Sequence, residues 1–246
     1  MTQSGLGIGH GPCAAGSMEH TLRTGLTALG LQLEDFQIDQ LLAYLGLIHK
    51  WNQVYNLTAV RAPAAMMTHH LLDSLAAVVP LQRHLAQCAG PSDSPSGLAT
   101  APHAAVRLLD VGSGAGLPGV VMAICCPTIH VDCVDAVAKK AAFIRQAAGV
   151  LNLPHLHGLH DRVERLSNCY NVITARAVAS LHDITGMSGS ALAPGGVWMA
   201  MKGIYPDAEL AQLPAHIRAF HVEMLSVPGL DVERCLVWMQ NKADPS

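Results

Sequence analysis

The sequence predicts an α/β fold: a mostly parallel sheet of about seven strands with an antiparallel last strand, preceded by an N-terminal cap of helices. Three observations predict it. Apolar residues recur at helical spacing between residues 19 and 48, with no strand-like run among them. From residue 106 onward, short apolar runs alternate with helical patterns, as they do in a sheet built from crossover units. At the first such junction stands Asp110-Val111-Gly112-Ser113-Gly114-Ala115-Gly116-Leu117-Pro118-Gly119. Glycine at this density lets backbone N–H groups approach a ligand at the start of a helix.

Composition narrows the classes. A chain of 246 residues has room for one large α/β domain and an accessory element. Hydrophobic content of 50% with 13% charged residues describes a globular protein. The formal net charge of -3 excludes a strongly basic surface, so a nucleic-acid partner has to meet a local basic patch or a surface shared with other molecules. Seven cysteines, an odd number with no C-x-x-C pair, suit reduced thiols and a cytoplasmic location. The histidines show no metal-ligand spacing, so no metal is expected. No apolar run is read as a membrane span, no signal-like start is seen, and a monomer is expected.

Residues 1–17 are glycine-rich without periodicity and are expected to be disordered, with Met18 an alternative start. The cap covers 18–85. Leu22, Leu26 and Leu29 share one helical face before Gly30, and Ile38, Leu41, Leu42, Leu45 and Ile48 share another. The polar segment 49–61 has two readings: capping and turn chemistry, or a cleft wall made by Lys50, Asn56, Arg61 and His70. Pro63 opens a further helix, and 86–105 reads as a flexible insertion. In the domain over 106–246, strands are expected at 106–111, 130–134, 156–160, 171–175 and 197–201, with a closing hairpin near 221–227 and 234–239. Helices are expected over 117–125, 138–151 and 181–192, the last followed by a Pro-Gly-Gly turn at 193–196.

Two cofactors compete for the glycine segment. Gly114, Gly116 and Gly119 fit the dinucleotide pattern, with Asp135 about twenty residues on as a ribose-binding carboxylate. Asp110 at the strand end suits instead a ligand with a cationic amino-acid end, as S-adenosylmethionine has. Asp135 can bind ribose hydroxyls, cap the next helix, or do both. The backbone N–H groups of Val163 and Glu164, after the third strand, are candidates for an adenine edge. Arg176 ends the fourth strand, where it either faces the ligand crevice or is simply solvated. No nucleophile or acid/base pair stands out.

Together these segments resemble one family. Trp51-Asn52-x-x-Tyr55-Asn56-Leu57-Thr58, His70-x-x-Asp73-Ser74, the glycine segment, Arg162-Val163-Glu164, Ala175-Arg176-Ala177-Val178-Ala179-Ser180-Leu181 and Lys202-Gly203 are similar to the RsmG (GidB) family of bacterial small-subunit rRNA guanine-N7 methyltransferases. The similarity spans roughly 34–84 and 106–203, with Arg234 matching a late arginine. The resemblance implies a Rossmann-like class I fold and methyl transfer from S-adenosyl-L-methionine to N7 of guanine-527 in 16S rRNA, within the small ribosomal subunit or an assembly intermediate. It implies cofactor contacts at Gly112, Leu117, the Val163-Glu164 backbone and Arg176, and basic cleft residues at Arg162, Lys202 and Arg234. The glycine-rich start and the 86–105 insertion depart from the family, and Ala175 stands where a serine is usual. Other readings are a small-molecule methyltransferase, an NAD(P)-binding oxidoreductase and a cofactor-binding RNA chaperone.

Overall fold

A computed structural model describes residues 12–88 and 106–242. The chain begins with helices α1 (Pro12–Leu29) and α2 (Asp35–Tyr55). It continues through α3 (Pro63–Met66), a π-helical turn (Met67–Leu72), α4 (Asp73–Leu75) and α5 (Val78–Cys88). The alternating part follows: β1 (Arg107–Val111), α6 (Gly119–Cys125), β2 (His130–Asp135), α7 (Ala138–Val150), β3 (Leu156–His160), β4 (Tyr170–Arg176) and α8 (Leu181–Ser188). It closes with β5 (Leu192–Lys202), α9 (Asp207–Ala211), β6 (Ile217–Met224) and β7 (Cys235–Asn241).

The seven strands form one sheet in the order β3-β2-β1-β4-β5-β7-β6. Strands β1 to β5 pair in parallel, and β7 runs antiparallel to both β5 and β6. The central strands are apolar on both faces because both faces are covered. Leu108, Val172 and Met199 turn toward the cap, α6 and α7, while Leu109, Ile173 and Trp198 turn toward α8 and α9.

The helical cap shares its core with the sheet. Leu22, Leu41 and Leu71 belong to the same buried cluster as Val120, Phe143 and Leu108. Polar side chains fasten the two parts as well. Gln37 accepts the Glu34 N–H at the start of α2 and donates to the Ile124 carbonyl at the end of α6, 2.7 Å away. Asn56 ends α2 in the left-handed conformation, and Asn52 bonds Thr58 and Val60 across the following turn. Much of the polar segment 49–61 therefore does capping work.

Several bounds differ from expectation. Residues 12–17, expected to be disordered, form the first turns of α1, and the remainder of that segment lies outside the described residues. Residues 86–88 belong to α5, while 89–105 lie outside the described residues. The Pro-Gly-Gly segment is part of β5, where the register with β4 shifts between Tyr170 and Val172 and Gly195 takes a positive φ of 73°. Three extra residues of β5 are absorbed there as an irregular bulge, since two steps on β4 face five on β5, and the strand starts five residues early. The stretch Pro63–Cys88 is long and apolar enough to cross a membrane, contrary to the sequence reading, yet 72% of its most apolar window is buried against the rest of the protein. Its hydropathy serves the core.

Candidate active site

The functional geometry lies at the carboxyl ends of the parallel strands, where helices begin and backbone donors are unpaired. Two cavities meet there at Gly112, one of ≈ 270 Å³ and one of ≈ 470 Å³.

The smaller cavity lies over β1, β2 and the loop after β3, and Asp135, Val163 and Glu164 line it. Asp135 is nearly buried at the end of β2. Its Oδ2 accepts the Gly114 N–H at 3.0 Å, its Oδ1 accepts the Val137 N–H at 2.8 Å, and Lys140 Nζ stands 3.4 Å away. The helix cap of α7 is Val137, so Asp135 anchors the glycine turn and keeps one lone pair on each oxygen. The 3-10 turn Val163–Arg165 closes through the N–H groups of Arg165 and Leu166. Those of Val163 and Glu164 open the turn and face no bond within it. Gly112 has a φ of +62°, and a Cβ there would come within 2.8 Å of Val178. Glycine is required for conformation and for space.

The larger cavity has a polar rim. Gly112, Gly114 and Leu117 supply one side, and Arg176, Lys202 and Arg234 another. Arg176 and Lys202 end adjacent parallel strands, and Arg234 precedes antiparallel β7, whose start lies at that same edge. The cations are held by carboxylates. Asp73, 4% exposed in its side chain, accepts Arg176 Nη1 at 2.8 Å on one oxygen and Arg234 Nε at 2.7 Å on the other. Arg176 also donates to the His69 carbonyl at 3.1 Å, and Lys202 Nζ pairs with Glu209 at 2.8 Å and with the Ala179 carbonyl. Three cations therefore face two carboxylates, which leaves the rim with one positive charge in excess.

The π-helical turn sets this arrangement. The Asp73 N–H reaches back to the Thr68 carbonyl, a five-residue step, while the His69 carbonyl receives Arg176. Asp73 went unrecognised in the sequence as a clamp, although the only carboxylate in the run 63–88 was a usable signal, since a buried charge needs a partner. Glu209 and Tyr44 were missed too. Tyr44, on α2, donates to the Ala115 carbonyl at 2.5 Å, tying the cap to the glycine turn.

Other expected residues fall elsewhere. Asp110 is fully buried and lines neither cavity. Its Oδ2 accepts the Gly119 N–H at 2.9 Å, and its Oδ1 has no partner. Burial pushes its pKa up to about 7. It supports the start of α6 from beneath, and its carboxylate occupies the helix end that a dinucleotide pyrophosphate would need. Gly116 packs against Val120 and Tyr44 and is not on a cavity wall. Arg162 is exposed beside the smaller cavity, apart from the three cations of the larger one. Of the four proposed wall residues, His70 lines the larger cavity, whereas Lys50 and Asn56 do not and Arg61 sits in a shallow pocket with Asn52. Cys125 ends α6 and Cys126 follows it, both buried; burial pushes both thiols up, Cys126 to about 11, which makes both poor nucleophiles. Among the described residues no His, Cys, Asp and Glu group is arranged to hold a metal.

This strand order, with an antiparallel β7 and a glycine turn between two cavities, defines a Rossmann-like α/β protein whose site lies at the carboxyl ends of its parallel strands. A family model described as GidB, rRNA small subunit methyltransferase G, matches residues 37–237, and the chain belongs to that family. Relatives named ribosomal RNA small subunit methyltransferase G agree over nearly the whole chain. The one from Albidiferax ferrireducens is 62% identical over 226 residues, covering 92% of this chain and 98% of its own. Those from Acidovorax ebreus and Methylibium petroleiphilum are 59% and 54% identical, covering 91% and 94% of this chain and 96% and 98% of theirs.

Proposed function

We propose that the protein transfers the methyl group of S-adenosylmethionine to N7 of a guanine in 16S rRNA, guanine-527 by family resemblance, in the small subunit or an assembly intermediate in the cytoplasm. The observation that carries this reading is the meeting of the two cavities at Gly112, one suited to an adenosine and the other rimmed by cations. The residues fit the cofactor. Asp135 has two lone pairs for ribose hydroxyls, the Val163 and Glu164 N–H groups suit an adenine edge, and Gly112 leaves the space between.

When bound, the cofactor supplies an electrophilic methyl group on a sulfonium. Guanine N7 carries a free lone pair and loses no proton on methylation, so the protein has to place the base and need not act as a base itself. Arg176, Lys202 and Arg234 provide that placement, with Asp73 and Glu209 fixing their directions. Arginine fits phosphate and guanine acceptors equally well. With a net charge of -3 and a rim only one charge positive, the chain binds RNA weakly by electrostatics alone. Naked 16S rRNA is therefore expected to be a poorer substrate than the subunit.

Calorimetry with S-adenosylhomocysteine and, separately, NADH tests the cofactor, and methyl transfer to subunits and to naked rRNA tests the acceptor. Binding of S-adenosylhomocysteine alone, with preference for subunits, is expected. Binding of NADH alone, or methylation of small molecules without rRNA, would overturn the proposal.

A further inference from the structure

We propose that His70 reads the target base in the larger cavity, donating a ring N–H to the exocyclic oxygen of the purine and so selecting guanine over adenine. This inference rests on the proposed reaction. His70 lies on the π-helical turn, 7% exposed, and borders the cavity together with Arg176, Lys202 and Arg234. Neither of its ring nitrogens has a hydrogen-bond partner, although both are buried. A buried polar group without a partner is costly, and a site that completes its bonds only with substrate accounts for that cost.

The neighbours of the ring define its state. Burial and the Arg176 charge hold its pKa down to about 4, against weaker opposing pulls from the His69 backbone and from Asp73. The imidazole is neutral at neutral pH and offers one donor and one acceptor. Because N7 must keep its lone pair for the methyl group, the ring N–H is left with the adjacent O6 acceptor. Adenine presents an amino donor at that position, and two donors would then face each other.

The test compares wild type, His70→Leu and His70→Gln on small subunits from a strain lacking this activity, with labelled S-adenosylmethionine. The leucine variant is expected to lose about tenfold in kcat/KM, the size of one hydrogen bond, while glutamine, which keeps a donor, recovers part of it. Affinity for S-adenosylhomocysteine stays at the wild-type level, and the melting temperature of His70→Leu is equal or higher because an unpaired polar group is gone. The wild-type pH profile shows no inflection at the ordinary imidazole value. On subunits reconstituted with adenine at the target position, wild type is inactive.

Undiminished transfer by His70→Leu overturns the role assigned to His70. So does a parallel loss of cofactor affinity and stability in that variant, which would mark a packing role. A wild-type protein that transfers no label to these subunits overturns the proposed reaction and this inference with it.

Discussion

Replacing Asp73 by alanine removes the one carboxylate shared by two arginines of the cavity rim. Asp73 is 4% exposed in its side chain, and the arginine side chains it holds are 18% and 23% exposed. Breaking a buried ion pair from one side costs about 3–5 kcal/mol, because a charge is left without its partner. Both guanidinium groups keep some contact with water, so the expected loss is nearer ~2–3 kcal/mol. In a chain of this size each kcal/mol moves the melting temperature by about 2–4 °C, which gives a fall of roughly 4–12 °C. Methyl transfer to subunits should drop by about tenfold or more as Arg176 and Arg234 lose their directions. A double-mutant cycle of Asp73→Ala with Arg234→Ala, followed by thermal denaturation, is expected to show ~1–3 kcal/mol of coupling. Additive losses in that cycle, or full methylation by Asp73→Ala, would refute the clamp.

Three further outcomes follow from the same geometry. The native pKa of Asp110, about 7, lies above its ordinary 3.8, so the folded protein holds a proton that the unfolded chain releases. Its contribution therefore falls as pH rises from about 4 to about 7 and is flat above that. Asp110→Asn should remove this slope and raise stability at neutral pH, as measured by melting across that range; an unchanged slope would show that the carboxyl titrates normally. Gly112→Ala forces a Cβ toward Val178 at a φ of +62°, and calorimetry should show at least a roughly tenfold loss in S-adenosylhomocysteine affinity with the circular dichroism spectrum retained. Arg234→Ala should leave that affinity near normal while weakening methyl transfer, and equal losses in both would deny the division between the two cavities.

What could be read from the sequence was what depends on local pattern. The run Leu156–His160 was bounded as β3 by its short length between turn signals, and the alternation of β1, β2 and β4 with helices was visible in the period of their apolar residues. The glycine turn announced itself because few residues other than glycine take the conformation found at Gly112 and Gly114. Long-range pairing was not legible. Asp73 meets arginines 103 and 161 residues away, and nothing in the spacing reveals such a contact. Asp110 was expected to face a ligand because it ends a strand, but strand alternation places it on the same side as Leu108, beneath the start of α6. The family resemblance groups Arg162 with Lys202 and Arg234, whereas its loop borders the other cavity. The π-helical turn was hidden because an extra residue in a helix leaves no mark on composition, yet it governs where His69, His70 and Asp73 stand.

In the reaction proposed above, the cavity over Gly112 delivers a methyl group to a single guanine N7 in the small subunit. It is tested most directly by incubating the purified protein with labelled S-adenosylmethionine and small subunits from a strain lacking this activity, then locating the label by strand cleavage at N7-alkylated guanine and identifying the modified nucleoside by mass. One labelled position is expected in 16S rRNA, guanine-527, modified at N7 and labelled more slowly when Gly112→Ala replaces the wild type. Label on another base, on another atom of guanine, or on ribosomal protein would contradict it.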